Sequence, residues 1–246
     1  MIDFLNNIDT EIFLFFNGHH TLFLDRFMTL FTGRFIWIPM YAVIFVIMIR
    51  ALRPRTAVFY ILALVAAIAI TDQTCASLIR PAVERLRPSN LENPLSALTQ
   101  IVGGYRGGSY GFPSCHAANS FALATFLSLT VRRRGFVAFI IGWALLNSYS
   151  RLYLGVHYPG DLFAGAVAGA LIAGLCFLTV CRLCGGDARE RALAAERPII
   201  IVPLRVNIGS TVNINALMLN PCHMMMLVGG ITAAIIALAS TIGGVF

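Results

Sequence analysis

The stretch CHAANSFALATFLSLTV-RRR-GFVAFIIGWALLNSY, residues 115–149, sets two apolar runs on either side of three consecutive arginines. Neither run, 115–131 or 135–149, contains Asp, Glu, Lys or Arg. Hydrocarbon offers no partner for a backbone N–H or C=O, so a segment of this kind crosses a bilayer as a helix that satisfies its own hydrogen bonds. About 20 residues cover the roughly 30 Å of the apolar layer, and terminal arginines can reach outward to the headgroups. The pair reads as two transmembrane helices joined by a basic turn.

The same alternation recurs outward from this hairpin. A run at 35–49 lies between Arg34 and Arg50, and one at 56–79 is interrupted only by Asp72. Residues 161–181 form a further run, and 221–246 contain no charged residue. The expected fold is all-α, a polytopic transmembrane helical bundle of about six spans. Before Arg34, phenylalanines and leucines mix with Asp3, Asp9, Glu11, Asp25 and Arg26. That pattern predicts an N-terminal amphipathic helix lying at the interface. A single domain, 1–246, is expected, with its motif-bearing core at about 35–182. Residues 183–220 would form a cytoplasmic linker, charged between Asp187 and Arg197, and 221–246 a last span.

Composition agrees. The chain is 58% hydrophobic and only 12% charged, against about 25% charged in an average soluble domain. All 18 basic residues are arginine and the net charge is +7. They stand in short clusters between apolar runs, which excludes a nucleic-acid surface and points to membrane orientation and anion binding. The six cysteines are scattered, and the spacing of Cys181 and Cys184 has no second ligand pair nearby, so no metal is expected. No cleaved signal peptide is expected either. Arginines at 50–55, 132–134 and 182–205 fall on one side of the bundle, which the positive-inside rule makes cytoplasmic. Five others, Arg80, Arg85, Arg87, Arg106 and Arg151, lie on the opposite side and ask for a functional reason.

Three clusters on that outer side carry chemistry. Arg80 and Arg87, seven residues apart, would share a helix face if the connection were helical, although Pro81 disfavours helical angles at Arg80. Guanidinium groups grip phosphate oxygens bidentately. Ser114 can cap the helix that begins at Cys115, and its first N–H groups form an anion site beside His116. Finally, Ser150-Arg151 is followed after five residues by His157, with Asp161 four residues further on. A carboxylate so placed accepts one ring N–H and leaves the other nitrogen as nucleophile or base. Taken singly, each cluster could be structural. Together they are hard to explain without a phosphate.

These motifs resemble the type-2 phosphatidic acid phosphatase superfamily, which also includes vanadium haloperoxidases. Its patterns K-x6-R-P, P-S-G-H and S-R-x5-H-x3-D stand here as Arg80-x6-Arg87-Pro88, Pro113-Ser114-Cys115-His116 and Ser150-Arg151-x5-His157-x3-Asp161. The resemblance implies a metal-independent phosphatase without a cofactor. In it His157 attacks phosphorus, Asp161 orients the ring, and His116 protonates the leaving oxygen. Arg80, Arg87, Ser114, Cys115 and Arg151 would bind the phosphate. Two departures stand out, Arg80 for lysine and Cys115 for glycine. The implied partners are a lipid phosphate and membrane lipids. Undecaprenyl diphosphate is the favoured substrate, with phosphatidylglycerophosphate, phosphatidate and lipid A as alternatives, in a bacterial inner membrane with the site facing the periplasm. A lipid-phosphate binder or transporter is the rival class, but binding alone has no need of the two histidines and the aspartate.

Overall fold

The computed structural model describes residues 2–52, 54–184, 200–202, 217–219 and 221–242. Its helices are α1 (Ile2–Asn17), α2 (Leu22–Phe31), α3 (Ile38–Ala51), α4 (Pro54–Gln73), α5 (Arg80–Val83), α6 (Cys115–Val131), α7 (Arg134–Tyr153), α8 (Pro159–Leu183) and α9 (Pro221–Thr241). Two three-residue strands, Ile200–Val202 and Leu217–Leu219, pair antiparallel between α8 and α9. The expected helical bundle is what forms. The remainder of the expected linker and residues 243–246 lie outside the described residues.

Three helical stretches are long and apolar enough to cross a membrane: Pro54–Val83, Pro159–Leu183 and Cys222–Thr241. The expected span at 35–49 is too short alone. It takes the form of a turn and α3, bent by 68° from α2, and the pair together has the length of one span. The N-terminal segment is therefore two helices rather than one. The break falls at Gly18, His19 and His20, and the Thr21 hydroxyl caps the second helix by accepting from Leu24 N at 3.2 Å. α1 packs on α7 and α8. It buries Phe13 and Asn17 while Phe4, Leu5, Phe15 and Phe16 stay exposed. The Asn17 amide ties it down, donating to Gln100 O at 3.0 Å and Tyr153 O at 2.9 Å.

α6 is the central element, packed on α4, α7 and α8. Two rings from its neighbours, Tyr60 and Phe177, meet Phe126 edge-on with centroids 6.1 and 5.8 Å away, a favoured aromatic geometry. The closest helix approach is between α6 and α8. A Cβ added at Gly165 or Gly169 would collide with the carbonyls of Ser114 and Ala118. Apolar burial drives little association between helices inside lipid, so small residues that let backbones touch do that work. α7 runs for 20 residues, but Asn147, Ser148, Ser150 and Arg151 are buried in its last turns. Its polar end faces the site.

The Arg80–Arg87 connection differs from the sequence expectation on two counts. Arg80 does adopt helical angles (φ −60°, ψ −47°) before Pro81, because residues 74–79 widen into a π turn in which Arg80 N–H reaches back to Cys75 O. Wide turns of this kind accommodate interruptions of the helical ladder. The helix then stops, with Glu84 in the left-handed region at φ 51°. Arg87 comes back on extended chain, bridged through Leu86 to Tyr110. The two arginines thus converge by a reversal of the chain and not along one helix face.

Candidate active site

Four chain segments end together at one end of the bundle: the Arg80–Arg87 reversal, the start of α6, the end of α7, and the turn into α8. Ser114 is buried, and its hydroxyl caps α6 through Ala117 N at 3.4 Å while its own amide donates to Asp161 O at 2.9 Å. The first N–H groups of α6 therefore point into the space between these segments, as helix geometry requires. In the turn before α8, Tyr158 N donates to Asp161 Oδ2 at 3.1 Å, which fixes that carboxylate in the first turn of the helix.

The geometry assigns the His157 tautomer. Arg87 Nη1 lies 2.7 Å from His157 Nε2, and a guanidinium can only donate, so Nε2 carries the lone pair. The proton is then on Nδ1, which faces Asp161 Oδ2 at 3.3 Å. His157 is 2% exposed and Asp161 fully buried. Burial first, and the Arg87 charge second, hold the His157 pKa well below its ordinary value. The ring is neutral at physiological pH, with its unprotonated nitrogen accepting from Arg87. Arg87 is itself lowered to about 10 by burial and by Arg80 and Arg151, which still leaves it charged.

Arg80 Nη2 donates to Pro113 O at 3.1 Å and to Cys115 Sγ at 2.9 Å. The thiol that replaces the usual glycine therefore rests on a guanidinium. Arg87 also donates to Val156 O at 2.9 Å, and Arg151 donates to Thr32 Oγ1 at 3.3 Å. The Nε atoms of Arg80, Arg87 and Arg151 are all buried and without a hydrogen-bond partner. Buried donors are nearly always satisfied. Three orphaned guanidinium donors beside a neutral histidine nitrogen form the donor set that a tetrahedral oxyanion would fill.

His116 stands across the site, its Nε2 3.1 Å from Thr32 Oγ1. That oxygen also accepts from Arg151, and its second lone pair can take an Nε2–H of His116, so Thr32 bridges the two side chains. The glycine loop closes the arrangement: Gly107, at φ +73°, lies against the Arg87 guanidinium, and Gly111 donates to Arg85 O at 2.8 Å.

All eight residues singled out in the sequence are found at this one end of the bundle. Three residues that contact them, one of these through Arg85, were not among the eight. Thr32 joins His116 to Arg151. Arg85 donates to Asp161 Oδ1 at 3.0 Å and to Asp9 Oδ2 at 2.7 Å. Asp9 reaches in from α1. The available signal was a carboxylate in a membrane-facing apolar segment, since such a group needs a partner.

The PAP2 superfamily profile matches residues 56–183, just over half of the chain. The chain belongs to the PAP2 superfamily. It is thus an integral membrane lipid phosphatase. It is 56% identical over 169 residues to the lipid A 4'-phosphatase of Bacteroides thetaiotaomicron, covering 69% of this chain and 75% of that one. A second lipid A 4'-phosphatase, from Porphyromonas gingivalis, is 30% identical over 172 residues, covering 70% and 72%. The crystal structure of Aquifex aeolicus LpxE superposes with a TM-score of 0.50 at 25% identity, covering 68% of this chain and 93% of that one. Among PAP2 relatives, these favour the lipid A alternative over the undecaprenyl diphosphate preferred from sequence.

Proposed function

We propose that this PAP2 enzyme removes a phosphate from a lipid A-type saccharide lipid through a phosphohistidine, without a metal. The carrying observation is the set of three buried, partnerless guanidinium Nε atoms, on Arg80, Arg87 and Arg151, with Arg87 itself on the unprotonated nitrogen of His157. In this reading Arg80, Arg87 and Arg151 take up the phosphate oxygens, with the Ser114 cap and the Cys115 amide beside them. His157 Nε2 attacks phosphorus. As the N–P bond forms, positive charge develops on the ring, and Asp161 stabilises it through Nδ1–H. The P–O bond to the lipid breaks, and His116 gives its Nε2 proton to the departing oxygen. In the second half His116 takes a proton from water, whose oxygen attacks phosphorus. The N–P bond breaks and inorganic phosphate leaves. Arginines supply the positive charge that a metal would otherwise provide at the developing oxyanion. The site would face the outer side of a bacterial inner membrane, as the arginine distribution indicates.

The lipid A assignment is supported by two relatives of that activity across about 70% of the chain. The test is phosphate release by purified enzyme from lipid A, undecaprenyl diphosphate and phosphatidate, with and without EDTA. Fastest turnover of lipid A, unchanged by EDTA, is expected. Preference for the diphosphate would overturn the substrate, and loss of activity on chelation, restored by a divalent ion, would overturn the mechanism.

A further inference from the structure

We propose that Arg85 and Asp9 are positioning residues that aim the Asp161 carboxylate at His157, making the N-terminal helix part of the catalytic apparatus. The inference rests on the phosphohistidine reading above. Asp161 is fully buried, and its two oxygens have separate duties. Oδ2 receives Tyr158 N at 3.1 Å and faces His157 Nδ1 at 3.3 Å. Oδ1 is held by Arg85 Nη1 at 3.0 Å. With His157 neutral, a buried carboxylate needs a fixed cation, because an unpaired charge out of water is costly. The three phosphate-facing arginines cannot fill this role and still release their donors to substrate. Arg85 can.

Arg85 is in turn immobilised. Its Nη2 binds Asp9 Oδ2 at 2.7 Å, and its guanidinium lies 4.1 Å over the Tyr158 ring. Asp9 Oδ1 takes the Gly160 amide at 2.7 Å. A Cβ at Gly160 would come to 2.8 Å from Asp9 Oδ2, so this turn admits the carboxylate only because residue 160 is glycine. One side chain from α1 thus grips both the cation and the turn that carries Asp161. Asp9 and Arg85 hold no hydrogen bond to the orphaned arginine donors, so their action runs through Asp161. Asp9 also lies outside residues 56–183, the part matched by the family profile.

Positioning of this kind affects turnover more than substrate affinity. Outer hydrogen-bond partners of metal-bound side chains are typically worth about 10- to 100-fold in activity, and a carboxylate that orients a histidine depends on its own partner in the same physical way. Arg85→Gln should therefore lower kcat about 10- to 100-fold, and Asp9→Asn several-fold, with KM changed by less than about twofold. Both effects should vanish in an Asp161→Asn background, whose residual turnover then no longer responds to residues 9 and 85. The experiment measures kcat, KM and thermal unfolding for Arg85→Gln, Asp9→Asn, Asp161→Asn, the two double variants and His157→Ala. If Arg85→Gln does not fold, the shape-preserving Asp9→Asn carries the test. Unchanged kcat, a change in KM alone, or equal fractional losses with and without Asp161 would overturn the proposal. Undiminished turnover by His157→Ala would instead overturn the phosphohistidine reading itself, so the two failures are distinguishable.

Discussion

Gly111→Ala adds one methyl group at the most sensitive point of the site. Gly111 is buried with an ordinary φ, so alanine is free of backbone strain there. Its Cβ would stand 2.9 Å from Asp161 Oδ2, 3.2 Å from Arg87 Cγ and 3.6 Å from His157 Nδ1. Ordinary contact begins at about 3.4 Å, so the carboxylate oxygen must give by roughly 0.5 Å. It has little room, since Asp161 is fully buried and Arg85 holds its other oxygen. The His157–Asp161 bond is already 3.3 Å long, and a further half ångström takes it past the reach of a hydrogen bond. A hydrogen bond to a charged group is worth about 1.5–3 kcal/mol, so kcat should fall by roughly ten- to a hundredfold. The measurement is kcat and KM for phosphate release in detergent, with thermal unfolding alongside. Gly108→Ala is the control, because a Cβ there meets nothing within 4 Å in the same loop. Gly111→Ala within twofold of wild type, or Gly108→Ala equally impaired, would refute this account of Asp161.

Thr32→Val removes the hydroxyl between His116 and Arg151 and should reduce kcat by about tenfold, the worth of one charge-assisted bond; a change confined to thermal stability would count against that bridge. Because burial and Arg87 depress the His157 pKa, its ring should stay neutral through pH 6.5 in a histidine NMR titration. The unfolded chain binds that proton near pH 6.5 while the folded one does not, so His157 should make stability fall as pH drops below 6.5; an inflection of His157 near 6.5 in the folded enzyme would contradict this. Cys115→Gly should keep turnover within a few-fold, whereas Cys115→Leu should crowd the Arg80 guanidinium, which the thiol now meets at 2.9 Å, and be far worse; a fully active leucine variant would dislodge Cys115 from the phosphate site. Single cysteines at Arg133 and Gly107, in a cysteine-free background, should label from opposite sides of intact cells, and labelling of both by one impermeant reagent would reverse the orientation.

What could be read in the sequence is what is local. Ser114 caps α6 by accepting from the amide three residues downstream, and His157 and Asp161 sit four apart across a Pro-Gly turn, so short spacing decides each contact. The α6–α7 hairpin was legible for the same reason, since three arginines between two apolar runs leave the chain one way to fold back. The conditional helix-face reading of the Arg80–Arg87 pair does not hold, although the structure brings both to the same end of the bundle. A helix-face argument supposes an unbroken ladder, and here a π turn followed by left-handed Glu84 reverses the chain instead. Arg85, between them, was passed over because its partners Asp9 and Asp161 each lie 76 residues away.

The distant contacts share one physical origin. Asp9–Gly160 spans 151 residues and Thr32–His116 spans 84, and both bring the N-terminal helices onto motifs read in the sequence. Those motifs meet at one end of the bundle because α6 and α7 form an antiparallel hairpin: the start of the first and the end of the second must lie together, while Arg132–Arg134 lie at the other end. That parity brings together the reactive groups, but it leaves the carboxylate of Asp161 and the ring of His116 with one side each unsupported. α1 and α2 close those two sides with Asp9, acting through Arg85, and with Thr32. A helix hairpin can thus bring the motif residues to one end of the bundle, while the contacts that hold Asp161 and His116 on their far sides come from residues that no motif contains.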